Sequence, residues 1–146
     1  MDRVELAHAY HKKGFNCCQS VIAAFSDLTG LDEQKSFAIG GGFGGGAGNG
    51  ELCGALVGGI MALGLVTPVD PADPVGSKKR AQALGKTLQK RFVERFGFLR
   101  CRDLLANKRD TNEMSPAAVR MGLTGHCDIM VVSAVELVEE ILAERS

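Results

Sequence analysis

Five cysteines stand in the 146-residue chain, at positions 17, 18, 53, 101 and 127. Thiolates attack disulfides and bind soft metals, and spacing helps to separate those uses. Cys17, Cys53, Cys101 and Cys127 follow one another at intervals of 36, 48 and 26 residues. None of these is the C-x-x-C interval of a zinc knuckle, a bacterial ferredoxin cluster or a thioredoxin-type dithiol. Cys17 and Cys18 are adjacent, where a disulfide would be strained, so the pair reads as one working thiol and one neighbour. Distant cysteines can still converge at one end of a helical bundle. Cys17, Cys53, Cys101 and Cys127 would then form either redox dithiols or a four-thiolate site for Zn or an iron–sulfur cluster.

Placement on helices sharpens the reading, because the free N–H groups of a helix start favour a thiolate over a thiol. Asn16 is expected to cap a helix, with Gln19 completing a capping box, so that Cys17 and Cys18 open its first turn. Cys53 falls in the first turn of a helix that follows a glycine tract, Cys101 begins a short helix, and Cys127 begins the last one. Arg100 and Arg102 flank Cys101 and make it the best nucleophile by local charge; Cys53, beside the glycine tract, has the best expected access. His126 adjoins Cys127 and is a candidate thiol-activating base or ligand, whereas His8 and His11 read as surface histidines.

The elements that must position these residues are helical, with no strand-like alternation. Helices are expected over Val4–Tyr10, from Asn16 until before Gly30, from Asp32 to Ile39, over Glu51–Leu65, from a Ser77 cap to Gly97, around Cys101–Leu105, and over Cys127–Glu144. Residues 107–115 read as a polar loop, with Pro116 starting a further turn. The expected architecture is one all-α domain over residues 1–146, a compact bundle of five to seven helices with a Gly-rich loop. That loop, residues 40–50, holds eight Gly in eleven positions. It contains G-x-G-x-x-G by composition alone, without the preceding strand a dinucleotide site requires. Gly44, Gly45, Gly46 and Asn49 remain a candidate anion nest beside a helix start. Gly50, Gly54 and Gly58 recur every four residues and give the next helix a smooth side for close backbone approach.

Gly14-Phe15-Asn16-Cys17, Phe43-Gly44-Gly45-Gly46, Gly50-Glu51-Leu52-Cys53-Gly54-Ala55-Leu56-Val57-Gly58 and the lone Cys101 and Cys127 together resemble the C-GCAxxG-C-C family. The resemblance runs from about residue 3 to residue 143 and implies a small, mostly helical prokaryotic protein assigned to redox chemistry through four cysteines. It also implies kinship with a domain of a multihaem cytochrome, although this chain has no C-x-x-C-H for covalent haem. Family members usually carry Ala after the first cysteine. Cys18 fills that place here, and Cys17, nearer the cap, is favoured as the working thiol.

Composition narrows the function classes. The 17 Lys+Arg balance 17 Asp+Glu, which excludes a uniformly basic nucleic-acid binder. The balance hides an asymmetry: residues 77–109 hold 11 Lys+Arg against Glu94 and Asp103 and could dock an acidic redox partner. The charged start and the longest uncharged apolar stretch, 15 residues from Leu52 to Val66, suit a cytoplasmic protein without a membrane span. Three functions follow in order. The first is a thiol-dependent redox protein, possible as an oxidoreductase, using Cys17, Cys53, Cys101 and Cys127. The second is a metal or iron–sulfur protein with the same ligands. The third is a non-catalytic helical assembly module, a homo-oligomer whose Gly-lined helix packs against a twin.

Overall fold

The computed structural model describes residues 1–108 and 115–145. Helices follow in the order α1 (Arg3–Lys12), α2 (Cys17–Ala24), α3 (Ser26–Thr29), α4 (Glu33–Gly40), α5 (Gly54–Leu65), α6 (Pro74–Phe96), α7 (Cys101–Ala106), α8 (Pro116–Met121) and α9 (His126–Glu144). A wide π-type turn, Gly46–Gly50, lies between α4 and α5. Six of these helices have eight residues or more, which is the all-α bundle expected. No strand occurs among the described residues. No helix among them is long and apolar enough to cross a membrane. Most of the polar loop expected over 107–115, and Arg109 of the basic segment, lie outside the described residues.

Short polar side chains start five helices by accepting an otherwise unpaired first-turn N–H. They are Asp2 for α1, Asn16 for α2, Asp32 for α4, Asp73 for α6 and Ser115 for α8. The long helix therefore begins three residues before the expected Ser77 cap. Pro74, with no N–H to satisfy, fits its first turn, and the Ser77 hydroxyl instead accepts from the Asp70 N–H at 2.8 Å. The helix expected up to Gly30 breaks at Phe25 (φ −102°, ψ 13°), and α3 is a separate single turn. The helix expected from Glu51 starts only at Gly54. Glu51–Cys53 is extended instead, with Leu52 opposite Arg100 in an antiparallel bridge. Cys53 N–H donates to Leu99 O (2.9 Å) and Cys101 N–H to Glu51 O (2.7 Å).

α9 runs through the core, with Val131, Val132, Val135 and Val138 fully buried among Leu56 and Leu63 of α5 and Leu88 and Phe92 of α6. The smooth side of α5 meets α2. A Cβ at Gly58 would lie 2.9 Å from Cys18 O, and one at Gly54 would lie 2.8 Å from Phe43 O and 3.4 Å from Cys17 Cβ. This corrects the assembly reading at its particular surface: the glycine face is covered by the same chain and is not free for a twin.

Part of the basic segment is likewise turned inward. Arg91 pairs with Glu144 (2.6 Å), Arg95 with Glu136 and Glu140, and Arg80 with Asp73 (3.8 Å). Lys78, Lys79, Lys86 and Lys90 are exposed and make no ion pair among the described residues.

Candidate thiol site

The turn into α2 is fixed on both sides. Gly14 takes φ +107°, a conformation L side chains rarely adopt, and sets Phe15 flat on Phe37 with ring centroids 3.8 Å apart. Tyr10 meets Phe37 edge-on at 5.1 Å. Asn16 and Gln19 exchange both capping-box hydrogen bonds at 2.8 Å. The Asn16 side-chain amide also donates to the carbonyls of Gly40 (3.2 Å) and Gly41 (3.1 Å), tying the glycine tract to the helix start that carries Cys17. Gly44 is required by this closeness, since a Cβ there would lie 2.6 Å from Asn16 Cβ.

The antiparallel bridge fixes a second pair. It ties the segment carrying Cys53, at the head of α5, to the one carrying Cys101, the first residue of α7, through two backbone hydrogen bonds. Cys127 is the second residue of α9, after Gly125 and His126. α5, α7 and α9 all begin without a side-chain cap, and each carries a cysteine within one residue of its first position. The amides of Ala55 and Leu56 accordingly favour the Cys53 thiolate, although burial outweighs them.

The four distant cysteines come together. Cys17, Cys53 and Cys101 each lie close enough to Cys127 for its charge to act on them. Cys17 and Cys127 go further, each being the largest influence on the other's ionisation. The Cys17 thiol, above burial and the neighbouring charges, holds Cys127 down to about 6, while Cys17 keeps its proton and moves up. Cys127 is exposed and Cys17 half-buried. Burial pushes Cys53 up to about 11 and Cys18 to about 12.

Two sequence expectations are overturned here. Cys53 is 5% exposed, so the loop beside it gives no access. Cys101 is raised by burial rather than lowered, because both flanking arginines face Glu51: Arg100 at 2.9 Å and Arg102 at 3.2 Å. Arg102 also donates to the carbonyls of Asn49 (2.9 Å) and Gly50 (3.3 Å). The glycine tract winds left-handed at Gly45, Gly46, Ala47 and Gly48 (φ +63°, +64°, +57°, +73°), and Arg102 fastens its end to α7.

His126 is depressed, first by burial and then by Lys108. The imidazole whose charge favours the Cys127 thiolate is instead His11, read from the sequence as a surface residue. Its Nδ1 lies 2.5 Å from Asp128 Oδ1, and His8 Nε2 lies 3.9 Å from the same atom. Asp128 is 117 residues from His11, so no local pattern announces the pair; the His8/His11 spacing was the one visible sign. Among the described residues, no three His, Cys, Asp or Glu side chains are grouped to hold a metal ion.

Four cysteines carried by distant helix starts thus act on one another within one all-helical chain. The chain belongs to the family described as "putative redox-active protein" (C_GCAxxG_C_C), whose model matches residues 15–141. No curated protein and no solved structure matches it.

Proposed function

We propose that the protein exchanges disulfides, with Cys127 as the attacking thiolate, Cys17 as the resolving thiol, and Cys53 with Cys101 as a second pair. What supports this reading is the pairing of half-buried Cys17 with exposed Cys127, in which Cys17 is the largest influence favouring the Cys127 thiolate. The Cys127 thiolate attacks one sulfur of a partner disulfide, forms a mixed disulfide and expels the other sulfur as a thiolate. Cys17 then gives up its proton and attacks Cys127 Sγ, releasing the second partner thiolate. Two electrons reach the partner, the Cys17 proton joins one released thiolate, and the chain is left with a Cys17–Cys127 disulfide.

Incubation with glutathione disulfide, followed by peptide mapping of the unreduced chain, tests the reading. A peptide joining Cys17 to Cys127 is expected, and it should survive in the Cys53→Ser/Cys101→Ser chain. Stable glutathione on Cys127 of the folded chain, with no link to Cys17, would overturn it.

The exposed lysines of α6 support docking of an acidic redox partner there. Its association rate should fall as salt rises; a rate indifferent to salt would remove that docking.

A further inference from the structure

The reading of Cys127 as the reacting thiol leaves one cluster unexplained. His11 ends α1, Asp128 opens α9, and their side chains meet at 2.5 Å beside Cys127. A carboxylate only accepts, so this contact places a proton on His11 Nδ1 whether the ring is neutral or charged. Asp128 is the chain neighbour of Cys127, and its charge alone would oppose a thiolate there.

We propose that His11 is the charge partner of the Cys127 thiolate and that Asp128 is a positioning residue that holds the His11 ring in place. The proposal rests on the reading of Cys127 as the attacking sulfur, and it adds a cation that assists Cys17 in favouring this thiolate. With His11 protonated, the imidazolium and the Asp128 carboxylate cancel, and the thiolate faces the cation. With His11 neutral, the thiolate faces an uncompensated carboxylate.

The other groups around Cys127 are accounted for. Cys17 on α2 is the largest influence, and Lys108 after α7 adds a further positive charge. Cys53 and Cys101 are themselves raised by the Cys127 charge. His8 shares Asp128 from one turn earlier on α1, at 3.9 Å, and His126 is held toward its neutral form. His11 is thus the group that both contacts Asp128 at hydrogen-bond distance and favours the thiolate by its charge.

The test is the pH profile of iodoacetamide alkylation, read by mass spectrometry at the Cys127 peptide of the full chain. In His11→Gln the midpoint should rise by about half a pH unit or more, because the cation is lost and the carboxylate remains. In His11→Lys a permanent cation replaces the imidazolium, and the midpoint should return toward that of the parent. A His11→Gln profile that superimposes on a low parent midpoint overturns the role of His11 and leaves Cys127 as the attacking thiol. An equal rise in both variants overturns it too, since a purely structural ring would give that result. A parent chain with no low midpoint at Cys127 overturns this proposal together with the reading beneath it.

Discussion

Replacing Cys17 by alanine should slow alkylation of Cys127 at pH 7 by roughly tenfold or more, the consequence of losing the thiol that most favours the Cys127 thiolate. The Cys17 thiol is the largest influence holding Cys127 down at about 6, ahead of His11 and Lys108. In the parent chain the alkylation rate should therefore climb through about pH 6 and be nearly level at neutrality. Without the donor, burial and Asp128 act against the remaining cations, and the midpoint moves up toward the ordinary thiol range near 8.5. The thiolate fraction at a fixed pH of 7 then falls, and the rate falls with it. Cys17→Ser keeps an O–H donor in place and should recover much of the loss, although it cannot form the disulfide. A Cys17→Ala profile identical to the parent's would remove the Cys17 thiol as the source of Cys127 reactivity. The two variants also separate activation from resolution: with glutathione disulfide, both should accumulate the mixed disulfide, the serine chain faster.

Gly58→Ala should destabilise the fold by about 2 kcal/mol, lowering Tm by several degrees, even though alanine is the better helix former. The new Cβ would lie 2.9 Å from Cys18 O and 3.0 Å from Val21 Cβ, so α5 and α2 have to part by a few tenths of an ångström. Neither contact is the free end of a flexible side chain, so little can yield cheaply. The strain falls on the carbonyl of the residue next to Cys17, and the Cys127 alkylation midpoint should shift as well. Gly64→Ala, on the same helix with nothing within 4 Å of its would-be Cβ, is the matched control and should be neutral or slightly stabilising. Equal Tm values for the two variants, measured by thermal unfolding, would show that the α2–α5 approach is not tight.

Features written in a few consecutive residues were legible from the sequence. Asn16 and Gln19 specify their capping box within four positions, Asp32 caps α4, and Gly97 stops α6 in a left-handed conformation (φ +84°). Gly54 and Gly58 announced a close approach, but which helix would approach is a tertiary fact, and a twin was the wrong partner. The family pattern marks four of the five cysteines, but no ranking among them can be read from it. Local charge pointed to Cys101, but the bridge between residues 51–53 and 99–101 delivers Glu51 to both arginines, and three extended residues are too few to show alternation. Access pointed to Cys53 because a glycine tract looks open, whereas this tract folds back on Asn16 and Arg102. His11 looked like a surface residue because its partner lies 117 positions away.

The meeting of residues 17, 53, 101 and 127 also bears on how the chain folds. These contacts close loops of tens of residues and bring together helix starts from nearly the whole length of the chain. Contacts of such long sequence separation form late, after the local turns of each helix. During synthesis, Cys17, Cys18 and Cys53 emerge before α9 exists to present Cys127, and each is then an ordinary thiol with an ordinary, sluggish ionisation. On the proposed reading the reactive sulfur is born with the finished fold, and fast reaction with a mild electrophile should serve as a direct readout of the folded fraction.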